Sequence, residues 1–129
     1  MNATLSRFAP HALSLLRIMA ALLLLQHGMT KFFSFPGTAT MPATFSLFWW
    51  AGLIELVGGA LLLIGLFSRA AAFLLAGHLA FVYFIGHAPR SFYPLVNNGT
   101  LPVLYCFVFF YLIFAGPGPW SLDRIMRRD

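Results

Sequence analysis

Residues 45–67 read FSLFWWAGLIELVGGALLLIGLF, an apolar run interrupted by one charged side chain, Glu55. A bilayer-crossing helix needs about 20 mostly apolar residues, so this stretch is long enough to span. Its apolar positions are continuous, whereas a membrane β-barrel strand alternates apolar and polar residues over about ten positions. Three further runs of the same kind lie at about 11–32, 70–87 and 100–115. Residues 34–44, with Pro36, Gly37 and Pro42, read as a loop, as do residues 88–99, with Pro89, Pro94 and Asn98-Gly99. Ser68-Arg69 reads as the tight connection between the second and third runs. Gly116-Pro117-Gly118-Pro119 stops the fourth, and Ser121 is placed to cap a short terminal turn containing Asp123.

Composition points the same way. The 129 residues are 60% hydrophobic, 17% aromatic and 9% charged, with a mean hydropathy of +0.86. A soluble domain carries about 25% charged residues, so this chain cannot coat itself for water. Its apolar and aromatic content excludes disorder, and a single cysteine, Cys106, excludes an internal disulfide scaffold and a two-thiol cycle. The net charge of +5 does not indicate nucleic acid, because the basic residues sit at the ends of apolar runs, where they orient membrane helices and meet anionic lipid. The expected fold is all-α: a single integral-membrane domain, a four-helix up-down-up-down bundle with the lipid bilayer as its solvent. The first run follows Arg7 but continues into Gln26, His27 and Lys31 without a small-residue cleavage pattern, so it reads as a retained span. The side holding both termini carries Arg7, Arg69, Arg124, Arg127 and Arg128, against Lys31 and Arg90 on the other, which places both termini in the cytoplasm.

Ionisable side chains are costly in hydrocarbon, and each one inside a span is a candidate for function. At about 1.5 Å per helical residue, Glu55 and His78 fall near the midplane and His27 roughly 9 Å toward the outer face. Lys31 shares a helix face with His27, and His87 and Asn97 reach the outer end from the third and fourth runs. Polar groups from all four helices are therefore expected to converge on one outward-opening pocket. Glu55 and His78 are the candidate proton-handling pair; His27, Lys31, His87 and Asn97 are the candidate ligand-binding set. Each also has a structural reading. Glu55 could accept hydrogen bonds from Arg17 or His78 and lock helices together, Lys31 and Arg90 could anchor at the interface, and Arg17 could snorkel or pair. Arg17, Arg69 and Asp123 are accordingly read as structural polar groups. Histidine and glutamate are suitable metal ligands, yet no pair has the spacing that puts two on one helix face, so no metal site is assigned. Ala72, Ala76 and Ala80, with Gly77 alongside, form a small-residue stripe that reads as a packing face.

The ordered set Leu16-Arg17-Ile18, His27-Gly28-x-x-Lys31-Phe32, Glu55-Leu56-Val57-Gly58-Gly59, Leu63-x-Gly65-Leu66-Phe67-x-Arg69, His87-Ala88-Pro89, Pro94-Leu95-x-Asn97, Leu104-Tyr105-Cys106-Phe107 and Gly116-Pro117-Gly118-Pro119-Trp120-Ser121-Leu122-Asp123 resembles the DoxX family. The likeness is collinear over about residues 13 to 123. It implies a bacterial inner-membrane protein with four helices, related to the membrane subunit of thiosulfate:quinone oxidoreductase and part of a membrane-associated redox or oxidative-stress system; a membrane component of a quinone-linked redox system, with quinone as a candidate cofactor, is the first reading. The chain departs from the family's usual pattern at His78 and Thr100, where an acidic residue is common, leaving Glu55 as the intramembrane acid. No flavin, haem or iron–sulfur motif is present, so electrons would come from a soluble redox partner or a small reductant. Two other readings stay open: a non-catalytic accessory or assembly protein, and a small-solute transporter, for which a homo-oligomer would supply the missing room.

Overall fold

Apolar side chains dominate every long segment, and hydrocarbon-facing backbone must satisfy its own hydrogen bonds, which favours helices. The computed structural model describes residues 2–33, 45–97 and 99–126. Helices α1 (Asn2–Arg7), α2 (Ala9–Phe33), α3 (Leu47–Ile64) and α4 (Ser68–Val82) are followed by a π-helical turn (Tyr83–His87) and a 3₁₀ turn (Ala88–Arg90). Then come α5 (Pro94–Asn97), α6 (Thr100–Ala115) and α7 (Leu122–Ile125). No strand occurs among the described residues. Two stretches, Ala9–Thr30 and Ser68–Arg90, are long and apolar enough to cross a membrane; Trp49–Ile64 and Thr100–Ala115 are shorter apolar helices.

The ends of these helices differ in detail from the sequence expectation. Ser46 caps α3, its hydroxyl accepting from Trp49 N at 3.3 Å. The connection from α3 to α4 is not Ser68-Arg69, both of which already belong to α4, but Gly65-Leu66-Phe67. Gly65 is left-handed at φ +74°, and Leu66 N donates back to Leu61 O at 2.9 Å, a glycine-based helix stop. Phe67 follows at φ +51°, an unusual conformation for a bulky residue. The loop read over residues 88–99 contains the 3₁₀ turn and α5.

Helix α2 packs chiefly on α3 and α4 chiefly on α6, with α3 against α4 joining the two pairs; α2 and α6 touch little. The core is one stripe per helix, including Ala21 and Leu24 of α2, Leu62 of α3, Ala72, Leu75, Ala76 and Leu79 of α4, and Tyr105, Phe109 and Leu112 of α6. Ala72 and Ala76 thus lie in the packing face, where the Cys106 thiol donates to Ala76 O at 3.4 Å. Gly77 does not: it faces outward. Large apolar side chains cover the exterior, with Phe73, Phe107 and Phe114 each at least 65% exposed. Such a surface suits lipid, not water. Phe45, Trp49 and Trp50 cluster edge-to-face at the start of α3, while Trp120 meets His11 at 5.3 Å at the other end of the molecule.

Candidate functional site

Two polar clusters form, one at the helix ends and one at mid-helix. At the first, Arg17 is 1% exposed although it lies inside α2. Its guanidinium donates to the carbonyls of Pro117 and Trp120, the latter at 2.7 Å, and weakly to Leu63 O at 3.4 Å. These carbonyls lie beyond α6 and in the last turn of α3, where no helical N–H remains to donate to them. Ser14 joins by donating to Pro117 O and accepting from Trp120 N at 3.1 Å. Asp123 caps α4: its two carboxylate oxygens accept from Phe67 N and Ser68 N, each at 2.8 Å. Arg69 reaches from α4 to the last turn of α6 and donates to Ile113 O and Phe114 O at 2.9 and 2.8 Å, a cation at a helix C-terminus. Ser121 caps α7 by accepting from Arg124 N at 3.1 Å. The start of α2, the end of α3, the start of α4 and the end of α6 are therefore tied into one lock. Glu55 does not receive Arg17, because the guanidinium is committed to these carbonyls.

The second cluster sits at mid-helix. Glu55, halfway along α3, and His78, on α4, are both almost buried, with Nε2 of His78 3.2 Å from Oε2 of Glu55. Buried in apolar surroundings, each is the other's compensation, since either alone would be costly there. The pair lies on the wall of a groove of about 510 Å³ between α3 and α4, whose other lining includes Trp50, Ile54, Phe73, Gly77 and Phe81. Trp50, Phe73 and Phe81 are 46%, 70% and 60% exposed, so the groove opens sideways. The π turn follows directly and contributes Ile85 to the lining; such turns widen a helix locally.

Of the sequence-derived candidates, Glu55 and His78 come together. His27 is exposed on α2 and does not line the groove; its ring meets Tyr105 edge-on at 6.3 Å. Tyr105, on α6, is 6% exposed, stacks on Phe109 at 5.8 Å, and lies within electrostatic reach of Glu55. It was not among the expected site residues, although a hydroxyl in the middle of an apolar run is a polar group needing a partner and signals its position. The side chains of Lys31, His87 and Asn97 lie outside the described residues. The groove's described lining comes from α3, α4 and the π turn; the expected outward-opening pocket also draws on Lys31, His87 and Asn97, whose side chains lie outside the described residues. Among the described residues, no three His, Cys, Asp or Glu side chains converge as a metal site would require. The groove offers one polar edge within an apolar wall. That arrangement can hold a flat lipophilic molecule by its body and exchange a proton at its rim.

A family model described as DoxX matches residues 12–88. A Haemophilus influenzae protein (strain ATCC 51907 / DSM 11121 / KW20 / Rd), described as "Uncharacterized protein", is 39% identical over 128 residues, covering 93% of this chain and 94% of its own. No solved structure matches the chain.

Proposed function

Because the chain belongs to the DoxX family, a membrane-protein family, we propose that it is the membrane component of a quinone-linked redox or oxidative-stress system in a bacterial inner membrane. In this reading α2, α3, α4 and α6 cross the bilayer as an up-down-up-down bundle, with the lock and both termini on the cytoplasmic side. The basic bias of that side and the aromatic clusters at both ends support the placement. The observation that carries the redox reading is the Glu55–His78 pair set into a laterally open apolar groove.

A quinone takes up two electrons and two protons on becoming a quinol. The electrons come from a partner or a small reductant, since the chain carries no motif for a redox group of its own. Glu55 and His78 hold the polar edge of the bound ring and hand it the two protons, which the pair takes up again from water at the membrane surface. The aromatic walls exclude water. His27 on α2 and Tyr105 on α6 meet edge to face at 6.3 Å, and Tyr105 lies within electrostatic reach of Glu55, so both contribute polarity beside the pair.

Protein purified in mild detergent is expected to retain quinone in its extracted lipid. Membranes carrying Glu55→Gln are expected to lose most partner-dependent quinone reduction. Purified protein free of quinone, together with unchanged reduction by Glu55→Gln and His27→Ala membranes, would remove the reading. The accessory-protein reading draws on the same pair acting only as a clamp between α3 and α4. It predicts that Glu55→Gln lowers folding yield and leaves no separable binding or activity defect.

A further inference from the structure

Four glycines inside these helices, Gly28, Gly58, Gly59 and Gly77, fall into two kinds. A Cβ added at Gly28 would meet Leu56 Cγ at 2.9 Å, one at Gly58 would meet Leu75 Cδ2 at 2.9 Å, and one at Gly59 would meet Leu25 Cγ at 2.9 Å. Those three are glycine because a neighbouring helix occupies the space, the usual reason for small residues between packed membrane helices. Gly77 has no such reason. A Cβ there would meet no heavy atom of the described residues within 4 Å. Its conformation is ordinary helix, mid-way along α4, where glycine is the poorest former after proline. Neither backbone geometry nor packing among the described residues explains the missing side chain.

Its place in the groove does. Positions 73, 74, 77, 78, 81, 82 and 85 recur at helical spacing and share one face, all of it groove lining. Phe73 and Phe81 stand one turn to either side of Gly77, while His78, the next residue, pairs with Glu55 across the groove. We infer that Gly77 is the floor of a ring seat: its bare backbone leaves room for a flat, carbonyl-bearing ring to lie between Phe73 and Phe81 with its polar edge at the Glu55–His78 pair. Entry is sideways from the hydrocarbon, which selects a lipid-soluble molecule. This assignment rests on the quinone reading and sharpens it, because it makes the width of the ring, not only its polarity, a condition of binding.

A second helix pressed onto Gly77 is the alternative occupant. The concave wall and the polar edge beside it favour a small molecule, since a ring carrying its own carbonyl can lie in the concavity and bond to that edge, whereas the apolar face of a second helix matches the wall alone.

The test measures binding of a short-tailed benzoquinone to the full chain in nanodiscs, read by quenching of the groove tryptophan, Trp50, in a Trp49→Phe, Trp120→Phe background. Binding by the parent, weakening of about tenfold in Gly77→Ala and of a hundredfold or more in Gly77→Leu, with melting temperatures equal to or above the parent's, is the expected result. Gly77→Ala meets no neighbour, so it keeps the test readable should Gly77→Leu fail to assemble. Equal binding by parent and both variants would overturn the ring seat while leaving the quinone reading in place. No binding by the parent would overturn both. A parent dimer that Gly77→Leu converts to monomer, with quinone binding unchanged, would overturn the seat in favour of a helix-pairing face.

Discussion

The lock at the helix ends and the pair at mid-helix use the same kinds of side chain to opposite effect. In the lock, Arg17, Arg69 and Asp123 bond to backbone carbonyls and N–H groups that the helices themselves cannot satisfy. At mid-helix the backbone is already satisfied, and Glu55 and His78 bond to each other beside an open groove. Charge spent on backbone holds the fold. Charge paired side chain to side chain, at the edge of a cavity, remains available to something that enters. In a chain this poor in polar residues, the partner of a buried charge distinguishes architecture from chemistry better than its depth does.

The widest separation between the two regions is expected from Arg17→Met. It removes the guanidinium's bonds to the carbonyls of Pro117 and Trp120, leaving the hydrogen bonds of Ser14 to tie α2 to the segment after α6, a loss of about 3 kcal/mol. Unfolding in mixed micelles should show that loss, while whatever variant remains folded keeps its quinone affinity; a stable variant with altered affinity would merge the two regions. Asp123→Asn comes next. The amide can accept at only one of the two N–H groups and gives up the charge, which costs about 1–2 kcal/mol and frays the start of α4. Faster hydrogen exchange at Phe67 and Ser68, with none at Glu55, is the accompanying signature. Glu55→Gln inverts the pattern, changing stability by less than about 1 kcal/mol, since a neutral amide preserves shape and is cheaper to bury. On the proposed function its defect is expected in proton transfer and is read as lost quinone reduction; a variant of lower stability whose folded fraction reduces quinone at the parent rate would make the pair a clamp. Smallest is Cys106→Ala, which removes a weak thiol hydrogen bond to Ala76 O and is expected to shift stability within about 1 kcal/mol and activity not at all.

Much of the helical layout was legible because lipid imposes long apolar runs, and prolines and glycines punctuate them. The turn between α3 and α4 was misplaced by a few residues because Gly65 sits inside an unbroken apolar run, where its role as a left-handed stop leaves no contrast in polarity. Depth counting along ideal helices put Glu55 and His78 at one level and brought out their pairing. It could not tell which side of each helix faces which neighbour. Arg17 was therefore a candidate partner for Glu55, when its length carries it to carbonyls at the end of the molecule. Gly77 was read with its alanine neighbours as packing, since a small residue looks the same in sequence whether a helix or a void lies beside it. Tyr105 escaped because aromatic rings fill this chain, so one hydroxyl among them stood out little until its ring was seen against His27 and within electrostatic reach of Glu55.

The central claim, that a lipid-soluble ring enters between α3 and α4 and rests against Glu55 and His78, is tested most directly by photolabelling. A quinone carrying a diazirine close to its ring, irradiated with the protein in vesicles and mapped by peptide mass spectrometry, should label residues 47–55 and 73–85, with labelling displaced by excess unmodified quinone. Displaceable label on α2 or α6 instead, or label spread over all exposed faces and indifferent to competitor, would contradict it.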